Sequence, residues 1–153
     1  MRRRDDGKAA DRPSARDRAL GLLARREHSR RELERKLAAK GYTPDESGPA
    51  LSDLAQGCEQ SDERYAEVLI RQRAGAGYGP RRIEAELQAN GIAPARFREA
   101  LAQIDWLAAA RSLVARRYPG AADRATRDKA GQYLQRRGFP SGVIAKVLGE
   151  PRE

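Results

Sequence analysis

Few side chains in this 153-residue sequence are of types that could carry catalysis or hold a metal. His28 is the one histidine and Cys58 the one cysteine, and Cys58 has no ligand-type neighbour in the chain. Neither a metal centre nor a Cys–His nucleophile can be assembled from that pair. His28 reads as a non-catalytic residue at a helix end, and Cys58 as an ordinary semi-buried thiol. Carboxylate pairs such as Glu84 with Glu86, or Asp62 with Glu63, stand one or two positions apart. On a helix such pairs diverge, so they make poor acid–base dyads. Gly75-Ala76-Gly77-Tyr78-Gly79-Pro80 has the look of a phosphate-cradling loop, but it follows a helical pattern and no Gly-Lys-Ser/Thr accompanies it. Its glycines read instead as the means of a tight turn between helices. The sequence contains no catalytic constellation and implies no cofactor.

What remains is cationic. Arg25-Arg26, Arg30-Arg31, Arg81-Arg82, Arg116-Arg117 and Arg136-Arg137 all fall at predicted helix ends. The pairs 116–117 and 136–137 lie near C-termini, where the helix dipole favours cations. Arg81-Arg82 falls on a first turn, where the dipole disfavours them by about 0.3–1 kcal/mol. A binding role is the better account of that pair. The candidate binding residues are therefore Arg25, Arg26, Arg30, Arg81, Arg82, Arg116, Arg117, Lys129, Arg136 and Arg137. Net charge is +9, and its distribution is uneven. Residues 61–105 carry 7 basic and 7 acidic side chains, whereas residues 106–149 carry 9 against 2. The C-terminal third is thus expected to face a polyanion or an acidic partner.

These pairs are positioned by helices that repeat. Pro80–Ile92 carries Ile83 and Leu87 on one face, opens with Pro80 and closes at Gly91-Ile92. Leu33, Leu37, Gly41 and Tyr42 reproduce that spacing, as do Ala130, Leu134, Gly138 and Phe139. The marker glycines stand 50 and then 47 residues apart, so one supersecondary unit has been copied twice. Leu51, Leu101 and Leu148 each lie ten residues beyond their glycine, a second register for the same repeat.

In chain order, Ser14 with Asp17 starts a helix expected to end near Glu27-His28. Ser29-x-x-Glu32 and Thr43-x-x-Glu46 are capping boxes for the next two helices. Ser61-Asp62 caps a fourth, with Tyr65, Ala66 and Leu69 inward. Ala93-Pro94 opens a short helix with Phe97, Leu101 and Ile104 on one face, and Asp105 caps the helix through Trp106 and Leu113. The last repeat reads as a helix from about Ala122 to Arg137 and another from Phe139-Pro140, with Ile144 and Leu148 inward. No stretch alternates long enough to be a strand.

The expected fold is all-α, built as three three-helix repeats. The expected divisions are a disordered arm of mixed charge at 1–13, repeats at 14–60, 61–104 and 105–149, and a tail at 150–153. The hydrophobic fraction of 39% suits several small cores better than one thick one. No apolar run is long enough to span a membrane. The charged N-terminus lacks the apolar core of a secretory signal, and a single cysteine fits a reducing cytosol. The short, apolar third helices argue against sequence-specific DNA reading and for phosphate or protein contacts.

Together these segments resemble the RecX family, regulators of the bacterial recombinase RecA. The resemblance rests on Ala19-Leu20-Gly21-Leu22-Leu23, Arg26-Glu27-His28-Ser29-Arg30 with Glu32-Leu33, and Lys36-Leu37 with Lys40-Gly41. It continues through Asp62 with Tyr65-Ala66, Gly77-Tyr78-Gly79-Pro80, Gly91-Ile92, and Tyr133-Leu134 with Arg136-Arg137-Gly138-Phe139 and Ile144. It covers roughly residues 17–149. The resemblance implies an elongated, curved array of three repeats with no catalytic residues. It also implies binding to the RecA–DNA filament with suppression of recombinase, ATPase and coprotease activities, by capping or loosening the filament. The expected partners are the RecA filament and single- or double-stranded DNA through its phosphates, with no membrane and the chain acting as a monomer. The competing expectation is an autonomous, sequence-independent DNA-binding protein.

Overall fold

The computed structural model describes residues 11–120 and 122–149, and every regular element among them is helical. In chain order these are α1 (Ala15–Leu23), α2 (Arg30–Ala39), α3 (Pro44–Gln56), α4 (Asp62–Gly75) and α5 (Pro80–Ala89). A 3-10 turn (Pro94–Phe97) leads into α6 (Arg98–Ala102), followed by α7 (Trp106–Arg117), α8 (Arg124–Arg137) and α9 (Ser141–Leu148). The chain divides after Tyr65 into two compact units.

The first unit packs α1, α2 and α3 around Ala19, Leu33, Leu37, Leu51 and Leu54, all fully buried. Both capping boxes form: Ser29 with Glu32 opens α2, and Thr43 with Glu46 opens α3. Helix α1 stops at Leu23, earlier than the sequence suggested. Its last turn tightens through Arg25 N–H to Leu22 O at 3.1 Å, and the chain then drops inward to bury His28. Residues 11–13, expected as part of an arm, are laid on this unit instead. The Arg12 guanidinium sits 3.8 Å from the centre of the Tyr42 ring, and the Tyr42 hydroxyl donates to Pro13 O at 2.5 Å. Residues 1–10 and 150–153, the rest of the expected arm and tail, lie outside the described residues.

The second unit, from Ala66, holds most of the second repeat and the third. Ile83, Leu87, Ile92, Phe97 and Leu101 are buried around α5, and Ala110, Leu113, Tyr133, Leu134 and Phe139 form the core of the third repeat. The helix predicted from Pro94 is broken. Ala93 offers no side-chain cap, Pro94 has no N–H to give, and Phe97 (φ −115°, ψ 20°) separates the 3-10 turn from α6. Helix α8 begins at Arg124 because Asp123 caps it, accepting Thr126 N–H at 2.6 Å. No residue of α9 is fully buried; Ile144 and Leu148 are half-covered, with Ile144 packed against the core of the third repeat and Leu148 beside Gly131 of α8.

One device ends the central helix of every repeat. Gly41, Gly91 and Gly138 hold φ of +87°, +77° and +95°. The amide after each glycine reaches back to a leucine carbonyl: Tyr42 to Leu37 (3.1 Å), Ile92 to Leu87 (2.9 Å) and Phe139 to Leu134 (3.0 Å). Each leucine and the apolar residue after its glycine are buried, completing the Schellman stop. The spacing that identified the repeat is the requirement of this stop.

Candidate functional site

The glycine-rich loop does two separate things. Gly77, at φ +90°, ends α4, with its own amide on Ala74 O and the Tyr78 amide on Arg73 O. Gly79 is needed for contact. A Cβ there would stand 2.5 Å from the carbonyl carbon of Gly138. The Gly79 amide donates to Arg137 O at 2.7 Å and the Arg81 amide to Gly138 O at 3.0 Å. The N-terminus of α5 therefore abuts the C-terminus of α8, and orphan donors of one helix satisfy orphan acceptors of the other. The electronegative end of α8 also offsets the local dipole that disfavours Arg81 and Arg82 on a first turn.

That junction builds a chain of stacked cations and rings. The Arg82 and Arg137 guanidinium carbons lie 4.5 and 4.6 Å from the centre of the Tyr78 ring. Arg137 also lies 5.3 Å from the Tyr133 ring, and Arg117 lies 4.7 Å from Tyr133 and 6.0 Å from Tyr118. Tyr118 and Tyr133 meet edge to face at 5.9 Å. Three arginines from three helices are thus held by three tyrosines. Among the described residues no carboxylate pairs with Arg82, Arg117 or Arg137. Cation–π contact holds a guanidinium by its face and leaves its in-plane N–H donors for other partners. Such an array suits bidentate capture of phosphate or carboxylate groups. Beside it, Arg73 and Glu86 form a two-pronged pair at 2.8 and 2.7 Å that fixes α4 to α5 under Tyr78.

The structure separates the candidate residues into three groups. Arg82, Arg117 and Arg137 come together on the tyrosines. Arg26 and Arg30 are committed to their own unit: Arg26 reaches Glu32 at 2.8 Å and Glu27 O at 2.8 Å, while Arg30 reaches Glu34, Ser52 and Gly48 O. Arg25, Arg81, Arg116, Lys129 and Arg136 are exposed and do not join the stack. Tyr78, Tyr118 and Tyr133 carry no charge and so do not stand out among the cationic candidates. The signal available was the placement of Tyr118 and Tyr133 immediately after, or four before, an arginine.

His28 stands at a helix end, directly before Ser29, the N-cap of α2, and is buried there, 1% exposed. Its Nδ1 lies 3.1 Å from Arg26 O and its Nε2 lies 2.8 Å from Lys36 Nζ. The carbonyl can only accept, so Nδ1 carries the proton and Nε2 accepts from the ammonium. Burial, with the Arg26 and Lys36 charges adding to it, holds the imidazole below its ordinary pKa. Burial also opposes ionisation of Glu32, but hydrogen bonds from Arg26 and the Ser29 amide prevail and keep its carboxyl below the usual range. Cys58 is exposed, not semi-buried, and occupies a left-handed turn position (φ +64°) after α3. Among the described residues no group of three or more His, Cys, Asp or Glu side chains could hold a metal ion. None of the described helices is long and apolar enough to cross a membrane.

Known proteins agree with this architecture. The first, second and third three-helix domains of RecX match residues 15–54, 61–101 and 103–148. The chain is 47% identical over 131 residues to the regulatory protein RecX of Xanthomonas axonopodis pv. citri, covering 83% of this chain and 81% of that one. It is 46% identical over 135 residues to the regulatory protein RecX of Halorhodospira halophila, covering 86% and 84%. Among solved structures, RecX from Lactobacillus salivarius superposes with a TM-score of 0.69 at 23% identity, over 88% of this chain and 92% of that one. A second crystal structure, of a regulatory protein RecX, gives 0.74 at 25% identity, over 89% and 70%.

Proposed function

The chain belongs to the RecX family of regulatory proteins, and on that premise we propose that it is a negative modulator of RecA. In this reading it binds the RecA–DNA filament and lowers recombinase, ATPase and coprotease activity, acting by occupancy rather than by turnover. It acts as a monomer in the cytoplasm, where RecA works. Its divisions are the repeats at 14–60, 61–104 and 105–149.

The observation that carries this reading is the set of three guanidiniums on Tyr78, Tyr133 and Tyr118 with no carboxylate partner among the described residues. Like charges gathered without compensation repel one another, so the arrangement is relieved when a polyanion arrives. A nucleoprotein filament presents phosphates in a regular row. Arg82, Arg117 and Arg137 are the contact residues in this account, with Arg81, Arg116, Lys129 and Arg136 adding long-range field. Arg26 and Arg30 hold the first unit together.

The same array supports one other reading, an autonomous DNA-binding protein that takes hold of phosphates without RecA. The test is binding to RecA assembled on single-stranded DNA against binding to the same DNA bare. Preference for the filament at physiological salt supports the modulator. Equal binding to both, falling steeply with salt through counterion release, supports the autonomous binder.

A further inference from the structure

In the third repeat, α8 and α9 leave a groove that none of the tyrosine-held arginines lines. It consists of two adjoining cavities of about 510 and 540 Å³ that share Arg127, Asp128, Ala145 and Leu148. Gly131 makes the floor low: a Cβ there would come 3.1 Å from Leu148 Cδ1. Ile144 and Leu148, half-covered on an eight-residue helix with no fully buried residue, supply the apolar lining. The rim carries Arg81, Arg124 and Arg127 against the single acid Asp128. Arg127 Nη2 closes α9 by donating to Leu148 O at 2.6 Å and Gly149 O at 3.1 Å, while its Nε and Nη1 find no partner among the described residues.

We infer that this groove docks a polypeptide segment carrying apolar side chains flanked by carboxylates, belonging to the protein component of the filament. This rests on the proposed function and divides it: the tyrosine-held arginines take the nucleic acid, and the α8–α9 groove takes protein. A nucleic acid is a poor occupant because the lining is aliphatic and Phe139, its one ring, is only 2% exposed, leaving no face on which a base could stack. A second copy presenting the same repeat is equally poor, since residues 106–149 carry 9 basic and 2 acidic side chains and would meet their own charge. An acidic, apolar segment satisfies both the lining and the rim, as a short helix laid in a groove does.

Ala145 is exposed and lines both cavities, so it can be changed without touching the core. Ala145→Glu places a carboxylate where the partner's carboxylates belong, and Ala145→Lys adds similar bulk with the opposite charge. Affinity of the full chain is measured for RecA on single-stranded DNA and for the same DNA bare. The expected result is a loss of about tenfold or more on the filament for Ala145→Glu, a clearly smaller loss for Ala145→Lys, and no change on bare DNA for either. Unchanged filament affinity for Ala145→Glu, or equal losses for the two variants, overturns the assignment of an acidic occupant. A loss shared with bare DNA makes the groove a nucleic-acid site and also overturns it. Wild-type protein that ignores the filament overturns the proposed function itself, and the groove's assignment with it.

Discussion

Gly79 lies against Gly138 so closely that neither can carry a side chain: a Cβ on Gly79 would stand 2.5 Å from the Gly138 carbonyl carbon, and one on Gly138 would stand 2.6 Å from the Arg82 amide nitrogen. The contact joins the first turn of one repeat's central helix to the last turn of the next. It sets the spacing of Arg82, Tyr78 and Arg137, so backbone packing and the candidate binding surface share one cause.

Gly79→Ala is expected to lower stability by about 1–3 kcal/mol, because backbone rather than a flexible side chain must move. Thermal unfolding followed by circular dichroism measures it. A melting temperature equal to wild type would show that the two helix ends are not in contact.

The stacked arginines and their neighbours differ in expected effect despite identical chemistry. Arg137→Glu should weaken filament binding by about tenfold or more, whereas Arg136→Glu, exposed and outside the stack, should cost clearly less. Equal losses would reduce the site to diffuse charge. Far-ultraviolet circular dichroism of both variants should match wild type.

The repeat was legible because its physics is local: a Schellman stop needs a glycine and two flanking apolar residues, and those recur visibly at Gly41, Gly91 and Gly138. The capping boxes at Ser29 and Thr43 were legible for the same reason. The binding surface was legible only as a list of arginines. Charge alone does not distinguish Arg137 from Arg136 beside it; only the i,i+4 spacing from Tyr133 does, and the contact with Tyr78, some sixty residues away in the chain, has no local signal. Arg26 and Arg30 shared the same dipeptide appearance, yet Glu32, Glu34 and Ser52 had already claimed them. The burial of His28 depends on tertiary packing that no window of sequence contains.

Acidification should destabilise the first unit in two stages. The His28 imidazole is held below its ordinary value of 6.5, so the unfolded chain takes up a proton first as pH falls. Its contribution is complete above about pH 6.5 and declines below it. Glu32, held below its ordinary 4.5, adds a second loss as pH drops past that value and its bonds to Arg26 and Ser29 fail. Melting temperature measured from pH 8 to pH 4 should fall first below 6.5, and His28→Gln should remove that first decline. A His28→Gln profile parallel to wild type would mean that His28 is not buried neutral.

Cys58 occupies a left-handed backbone position that glycine tolerates far better. Cys58→Gly should therefore raise stability by about 0.5–1 kcal/mol, after allowing for glycine's greater freedom in the unfolded chain. Chemical denaturation of the two proteins decides it. A lower midpoint for the variant would place Cys58 outside the left-handed region.

The most direct test of the central claim is the single-stranded-DNA-dependent ATPase rate of RecA as this protein is titrated in. The account predicts that the rate falls at well below one molecule per RecA protomer. An unchanged rate at equimolar protein, with tight and salt-sensitive binding to bare DNA, would contradict it and identify an autonomous DNA binder.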